Sequence, residues 1–171
     1  MKRKSFFLLM VSFLLAGLLI ANAEEGVSMK LTSPDFKNNE YIPKKFTCDG
    51  EDISPSLAIE SIPGSAKSLA LIVDDPDAPM GIWVHWVVFD IPITSKIEEG
   101  GTPGKPGTNT SGERNYGGPC PPSGTHRYFF KIYALDTLLN LKEGITKADL
   151  EKAMVDHILD KTELIGLYKR K

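Results

Sequence analysis

Short apolar runs, separated by turns rich in glycine, proline and aspartate, make up most of the chain after residue 27. The runs at 69–73 and 84–91 are rich in β-branched and aromatic residues, which favour strands. Similar runs predict further strands at 27–32, 57–60, 127–135 and 163–168. Because turn signals are frequent and helical periodicity is rare, the pattern predicts an all-β fold built as an antiparallel sandwich.

Alternation along two of these strands predicts which side chains share a face. In the run 84–91, a period of two places His85 on the same face as Val87. Both faces of this strand are mostly apolar, so we expect it to be covered on both sides. In the later strand, the same alternation groups His126 with Tyr128.

One segment near the C-terminus has the signals of a helix. Thr146 is a suitable N-cap, and Asp149 supplies an acidic first turn. Leu150, Met154 and His157 recur at helical spacing and form the predicted core-facing stripe. The last strand, at 163–168, is expected to be short.

The first 23 residues have the features of a cleaved export signal. A basic stretch at 2–4 precedes an apolar run at 6–20, and an Ala-x-Ala cleavage site follows at 21–23. The apolar run is too short for a comfortable membrane span. We therefore expect a single domain over 24–171 that is periplasmic or secreted and does not span the membrane after cleavage.

Net charge limits the classes of partner that we expect, and cysteine content bears on the redox environment of the protein. After cleavage, 17 Lys and Arg face 22 Asp and Glu, a formal charge of −5, which argues against a nucleic-acid partner. The chain has two cysteines, Cys48 and Cys120. Export would permit a disulfide between them, but sequence alone does not distinguish a bridge from two separate thiols.

Candidate chemistry concentrates at the ends of the predicted strands. Asp75 and Asp77 lie in a proline-rich turn before His85, and His126 and Tyr128 begin a later strand. Imidazole and phenol groups can donate hydrogen bonds to phosphate or carboxylate. A carboxylate beside them would fix the tautomer or the charge of one histidine.

The segment 100–124 is dense in glycine and proline and is expected to be a long, structured loop. Its few side chains would let main-chain N–H groups approach a ligand closely. An exposed, extended loop of this kind could also serve as a protease inhibitor, although nothing in its residues indicates a protease.

Several motifs resemble the phosphatidylethanolamine-binding protein family, most closely its bacterial and archaeal Raf kinase inhibitor-like branch. They are Asp75-Pro76-Asp77-Ala78-Pro79, Trp83-Val84-His85-Trp86, Gly118-Pro119-Cys120-Pro121-Pro122 and His126-Arg127-Tyr128. Residues 46–55 look like the N-terminal motif of that branch, and the resemblance extends from about Leu31 to the last strand. It implies a β-sandwich with small peripheral helices and a surface pocket for phosphate-like anions and phospholipid head groups.

The resemblance also implies a set of ligand-binding residues. They are Asp75, Asp77, Pro79, Trp83, His85, Gly118, Cys120, Pro121, Pro122, His126 and Tyr128. The eukaryotic branch has a glycine before the Pro-Pro pair, and its N–H helps to bind the anion. Here Cys120 occupies that place, so its side chain either narrows the pocket or, if bonded to Cys48, holds the loop in place.

These features favour a non-enzymatic binding protein that modulates a partner, a kinase or protease that the sequence does not identify. No nucleophile with an oriented base is evident, and no cofactor or metal is expected. One alternative is a protease inhibitor. The other is a phosphoester hydrolase that uses an aspartate, or a metal held by Asp75, Asp77, His85 and His126.

Overall fold

The computed structural model describes residues 28–170, so the predicted export signal lies outside the described residues. The strands are β1 (Lys30–Thr32), β2 (Glu40–Tyr41), β3 (Leu57–Glu60), β4 (Ser68–Asp75), β5 (Trp83–Ile91), β6 (Lys96–Ile97), β7 (Lys105–Pro106), β8 (His126–Leu135) and β9 (Ile158–Tyr168). A 3-10 helix spans Lys44–Phe46, and one α-helix, α1, spans Lys147–Met154. Over residues 28–170, no helix is long and apolar enough to cross a membrane.

The strands form two sheets, as expected for a sandwich. The smaller sheet has the order β1-β3-β6, and the larger has the order β2-β9-β8-β4-β5-β7. Neighbouring strands are antiparallel except for β2, which runs parallel to β9. The predicted all-β fold with antiparallel strands and a helix near the C-terminus is therefore confirmed.

The main core fills the space between the two sheets. Leu31, Leu57 and Ile97 of the small sheet pack in one cluster with residues of the large sheet such as Leu71 and Phe130. Burial of such side chains stabilises a fold by roughly 1.5–3 kcal/mol each. This core therefore holds the large sheet, and the strand ends described below, in a fixed position.

The opposite face of the large sheet is covered by α1 and the segment before it. Leu150 and Met154 of α1 pack on Ile72, Val87 and their neighbours. Strand β4 lies between the two cores, and all eight of its residues are buried. Cover on both faces explains why residues 69–73 of β4 are all apolar.

A β-bulge in β5 lies at His85. The ladder pairs beside it are Val73 with Trp86 and Asp74 with Val84. His85 therefore has no partner on β4, and its ring packs edge-on against Tyr128 with the centroids 5.2 Å apart. Tyr128 belongs to the core between the sheets, so the ring of His85 lies on that face of the large sheet. Val87 packs on the opposite face, against the helix, and the prediction that His85 and Val87 share a face is therefore wrong. The extra residue of a bulge breaks the alternation on which that prediction was based.

The C-terminal elements differ in extent from their predictions. Thr146 caps α1 with a capping box that includes Asp149, as expected. The helix ends at Met154, so His157 lies beyond it and its Nδ1 is 2.8 Å from Oδ1 of Asp136. Strand β9 has 11 residues and is not short, because it pairs with β8 along the whole length of that strand, from His126 opposite Tyr168 to Leu135 opposite Ile158.

Candidate functional site

A cavity of about 460 Å³ opens where the end of β4 meets the starts of β5 and β8. These three ends come together because β4 is antiparallel to both neighbours. The segment 109–122 forms the remaining wall. Of the residues predicted to bind a ligand, the cavity is lined by Asp75, Pro79, Trp83, His85, Gly118, Cys120, Pro121, Pro122, His126 and Tyr128. Four buried side chains of this lining, those of Asp75, His85, His126 and Tyr128, form the floor of the cavity.

Asp77 is the predicted site residue that does not line the cavity. Its Oδ2 accepts hydrogen bonds from the backbone N–H and the Nε–H of Arg127, at 3.0 and 2.8 Å. Its Oδ1 accepts from Nη2 of Arg127 at 2.7 Å. These hydrogen bonds lower the pKa of Asp77 below its ordinary value. Asp77 therefore fastens the turn after β4 to the start of β8 and is not free to bind a ligand.

Asp75 orients His126 within the floor. Oδ2 of Asp75 lies 2.7 Å from Nδ1 of His126, and both side chains are buried. Oδ1 of Asp75 accepts the backbone N–H of Asp77 at 2.8 Å. Because a carboxylate only accepts hydrogen bonds, the proton of this pair lies on Nδ1 of His126. Nε2 of His126 has no hydrogen-bond partner among residues 28–170.

His85 is held in the same way by a backbone carbonyl. Its Nδ1 donates to the carbonyl oxygen of Gly117 at 2.7 Å, and the N–H of Gly117 donates to the His85 carbonyl at 3.0 Å. Burial lowers the pKa of His85, so its ring is neutral at pH 7. Nε2 of His85 is then a hydrogen-bond acceptor without a partner in the described part of the chain.

The hydroxyl of Tyr128 is a hydrogen-bond donor in the floor of the cavity. Its side chain is almost fully buried, with 1% of the residue exposed. Its hydroxyl makes no hydrogen bond to any described residue. Burial raises the pKa of Tyr128 far above its ordinary value, so the hydroxyl keeps its proton. A buried, unpartnered hydroxyl is uncommon because it loses its hydrogen bonds to water without replacement.

Asp52 and the disulfide hold the wall opposite the floor. Oδ1 of Asp52 accepts the N–H of Gly118 at 2.6 Å, and a Cβ on Gly118 would lie 2.6 Å from the Phe46 carbonyl oxygen. Cys48 and Cys120 form a disulfide, with their Cα atoms 5.5 Å apart. The sequence did not distinguish a bridge from two separate thiols, and in the structure the two cysteines are bridged. Asp52 lies in an acidic turn within the motif at 46–55, but it was not among the predicted site residues.

Exposed apolar side chains lie at the β4–β5 turn, where Met80 and Trp83 line the cavity, and we call this turn with Ile82 the rim. Met80 is 97% exposed, Ile82 is 58% exposed and Trp83 is 39% exposed. Gly81 between them has a φ of +101°, a value that favours glycine and makes the turn tight. Met80 and Ile82 were not among the predicted site residues, although two large apolar residues in a polar turn are a detectable signal.

The four residues suggested as metal ligands do not form a metal-binding cluster. Asp75 pairs with His126, whereas Asp77 pairs with Arg127 outside the cavity. Within residues 28–170, no three His, Cys, Asp or Glu side chains are grouped so that they could hold a metal ion.

The chain matches one protein-family model and is similar to several known proteins. The family model described as phosphatidylethanolamine-binding protein matches residues 32–169. The UPF0098 protein of Pyrococcus horikoshii is 50% identical over 163 residues, which cover 89% of this chain and 82% of the relative.

Two solved structures are similar in fold. The crystal structure of CT736, a phosphatidylethanolamine-binding protein homologue from Chlamydia trachomatis, has a TM-score of 0.82 and 44% identity. The match covers 84% of this chain and 99% of CT736. YbcL of E. coli, described as a new member of the mammalian PEBP family, has a TM-score of 0.78 and 29% identity. That match covers 85% of this chain and 100% of YbcL.

We predict that the disulfide makes a large contribution to stability. The bridge joins residues 72 positions apart, and closing a loop of that size is worth about 4 kcal/mol in the chain-entropy model. Replacing both Cys48 and Cys120 with Ser should lower the free energy of unfolding in urea by about 2–4 kcal/mol. Mass analysis of the protein, alkylated without prior reduction, should find no alkylated thiol. Two alkylated thiols, or unchanged stability in the double variant, would contradict the prediction.

Proposed function

The chain belongs to the phosphatidylethanolamine-binding protein family, and on that premise we propose that it is an exported protein whose cavity binds a phosphate-like anion, above all the phosphate of a phospholipid head group. The proposal rests on one observation, the unpartnered hydroxyl of Tyr128 beside two histidines whose Nε2 atoms are free. A ligand oxygen that accepts from this hydroxyl would satisfy the buried donor.

The rim favours a lipid head group as the source of the phosphate. Met80 and Trp83 line one side of the opening, Ile82 stands between them in the chain, and all three are exposed to water. Trp places an apolar ring and a polar N–H at the level of lipid head groups in membrane interfaces. A head group entering the cavity would bring these side chains to the membrane surface, where their apolar area leaves water.

The arrangement of the floor supports binding without catalysis. Each histidine uses Nδ1 on Asp75 or Gly117, and neither has a Ser or Cys hydrogen-bonded to it in the described chain. Cys120 is bonded to Cys48 and offers no thiolate. A hydrolase that uses an aspartate nucleophile would need a free carboxylate, whereas Asp75 is bound to His126.

The long segment 100–124 supports the cavity and does not form a freely protruding inhibitor loop. Strand β7 pairs with β5, and the N–H of Gly107 donates to the Val87 carbonyl at 2.8 Å. The N–H of Thr108 donates to the Ile145 carbonyl at the same distance. Because its first part is fixed to the sheet and its last part forms the cavity wall, we assign the function to the cavity.

Export is supported by two independent features of the chain. The first 23 residues have the composition and cleavage site of an export signal. The disulfide between Cys48 and Cys120 is of a kind that persists in oxidising compartments. We propose a periplasmic or secreted location, where the protein modulates a partner at a lipid surface.

We predict that inorganic phosphate perturbs two of the three histidines. In NMR spectra, the ring signals of His85 and His126 should shift on titration, because both rings line the cavity. His157 is the internal control, since it lies outside the cavity and is bound to Asp136.

His85→Ala should weaken phosphate binding by about tenfold. Equal shifts at all three histidines, or unchanged binding by His85→Ala, would argue against the cavity as the site.

We also predict that the rim contacts lipid. The chain has two tryptophans, Trp83 at the rim and Trp86 in the core, so quenching by brominated acyl chains distinguishes contact from unfolding. Vesicles of phosphatidylethanolamine and brominated phosphatidylcholine should quench the wild-type emission. Trp83→Phe should abolish the quenching, because only the buried Trp86 remains.

A matched pair of variants controls for surface hydrophobicity in this experiment. Ile82→Ser should weaken vesicle binding roughly fivefold, because apolar area at the rim is lost. Val155→Ser removes a similar side chain that is 68% exposed at the end of α1, and it should have no effect. Equal losses in both variants, or quenching that persists in Trp83→Phe, would refute a specific lipid contact.

A further inference from the structure

The wall of the cavity opposite the floor consists of two parts that are held in different ways. In the first part, residues 116–119, every residue has a hydrogen bond to another segment. The hydroxyl of Tyr116 donates to the Phe46 carbonyl at 2.9 Å, and the N–H of Cys48 donates to the Pro119 carbonyl at 3.2 Å. Noncovalent contacts therefore hold the first part in place, whether or not the disulfide is formed.

The second part, residues 120–125, leads from the wall to His126 in the floor, and we call it the strap. In the described part of the chain, no backbone hydrogen bond joins the strap to another segment. Pro121 and Pro122 line the cavity, but only Pro121 is buried. The strap is therefore held against the cavity by the disulfide at one end and by the packing of a single proline.

The disulfide itself is accessible from solution. Both of its cysteines line the open cavity, Cys120 is exposed and Cys48 is half-buried. A thiolate must reach a sulfur atom of the bond for exchange to occur, so access limits the rate. Exposed disulfides belong to the labile class, whereas buried structural disulfides resist reduction.

We propose that the Cys48–Cys120 disulfide is a thiol-exchange site whose reduction frees the strap and loosens the cavity wall. The thiolate of a small thiol or dithiol attacks Sγ of Cys120, the S–S bond breaks, and Cys48 leaves as a thiolate that takes a proton from water. A second thiolate of the reagent then displaces the first from Cys120. The products are two protein thiols and one disulfide of the reagent, whose two thiol groups supply the two electrons.

Reduction changes one part of the wall and leaves the other. The strap loses its covalent attachment, whereas residues 116–119 keep their hydrogen bonds. A ligand would then have to order the strap on binding, which costs affinity. This effect on affinity rests on the proposed function, but the exchange and the release of the strap do not depend on which ligand the cavity holds.

Reduction by dithiothreitol below the unfolding transition tests the exchange. The folded, oxidised protein is incubated with the reagent at several low urea concentrations, and free thiols are alkylated and counted by mass analysis. The rate should rise in proportion to the dithiothreitol concentration and change little with urea, because the folded protein reacts. A rate that follows the urea dependence of global unfolding, roughly tenfold per molar, would show that only unfolded chains react and would overturn the proposal.

Backbone relaxation measured by NMR tests the release of the strap. After reduction, the order parameters of Ser123, Gly124 and Thr125 should fall by at least about 0.2, whereas those of Gly117 and Gly118 should stay near the value of about 0.85 for rigid backbone. The double variant with Ser at both cysteine positions should match the reduced protein and should not respond to dithiothreitol. Unchanged order parameters in the strap, or an equal fall in both parts of the wall, would overturn the proposal.

Phosphate titration of the two redox states separates this proposal from the proposed function. The reduced protein should bind phosphate roughly threefold to tenfold more weakly than the oxidised protein, because ordering of the strap opposes binding. Equal affinity in both states would overturn control of the cavity by the strap. Failure of the oxidised protein to bind phosphate would refute the proposed function, while the reduction rates and order parameters would still decide the exchange site.

Discussion

A polar group that leaves water must find a hydrogen-bond partner inside the protein or lose stability, and the floor of the cavity is built around that constraint. Asp75 and the carbonyl of Gly117 each satisfy one ring nitrogen of a buried histidine. Both interactions fix the orientation of a ring and leave its Nε2 without a partner in residues 28–170. The hydroxyl of Tyr128 is the exception, since no described residue accepts its proton.

Strand pairing, a β-bulge, an ion pair and a disulfide hold these groups in place. Antiparallel pairing brings the ends of three strands to one edge, and the bulge at His85 turns its ring toward Tyr128. The pairing of Asp77 with Arg127 fastens the turn, and the disulfide fastens the opposite wall. A rigid site of this kind loses little entropy on binding, because its side chains are ordered before the ligand arrives.

Much of this arrangement could be predicted from the sequence, and the failures have physical causes. The apolar runs predicted the strands, and the motifs predicted most of the cavity lining, because both depend on local pattern. Alternation placed His85 on the wrong face because a bulge shifts the register without any marker in sequence. The motif contains two aspartates, and only tertiary contact decides that Asp75 faces His126 while Asp77 binds Arg127.

We propose that the hydroxyl of Tyr128 binds a ligand and contributes nothing to the stability of the fold. The most direct measurement compares Tyr128→Phe with the wild type in urea unfolding and in phosphate titration. Because the hydroxyl has no internal partner, the variant should be as stable as the wild type or about 1 kcal/mol more stable. Its affinity for phosphate should fall by at least about tenfold. Lower stability with unchanged phosphate affinity would contradict the account.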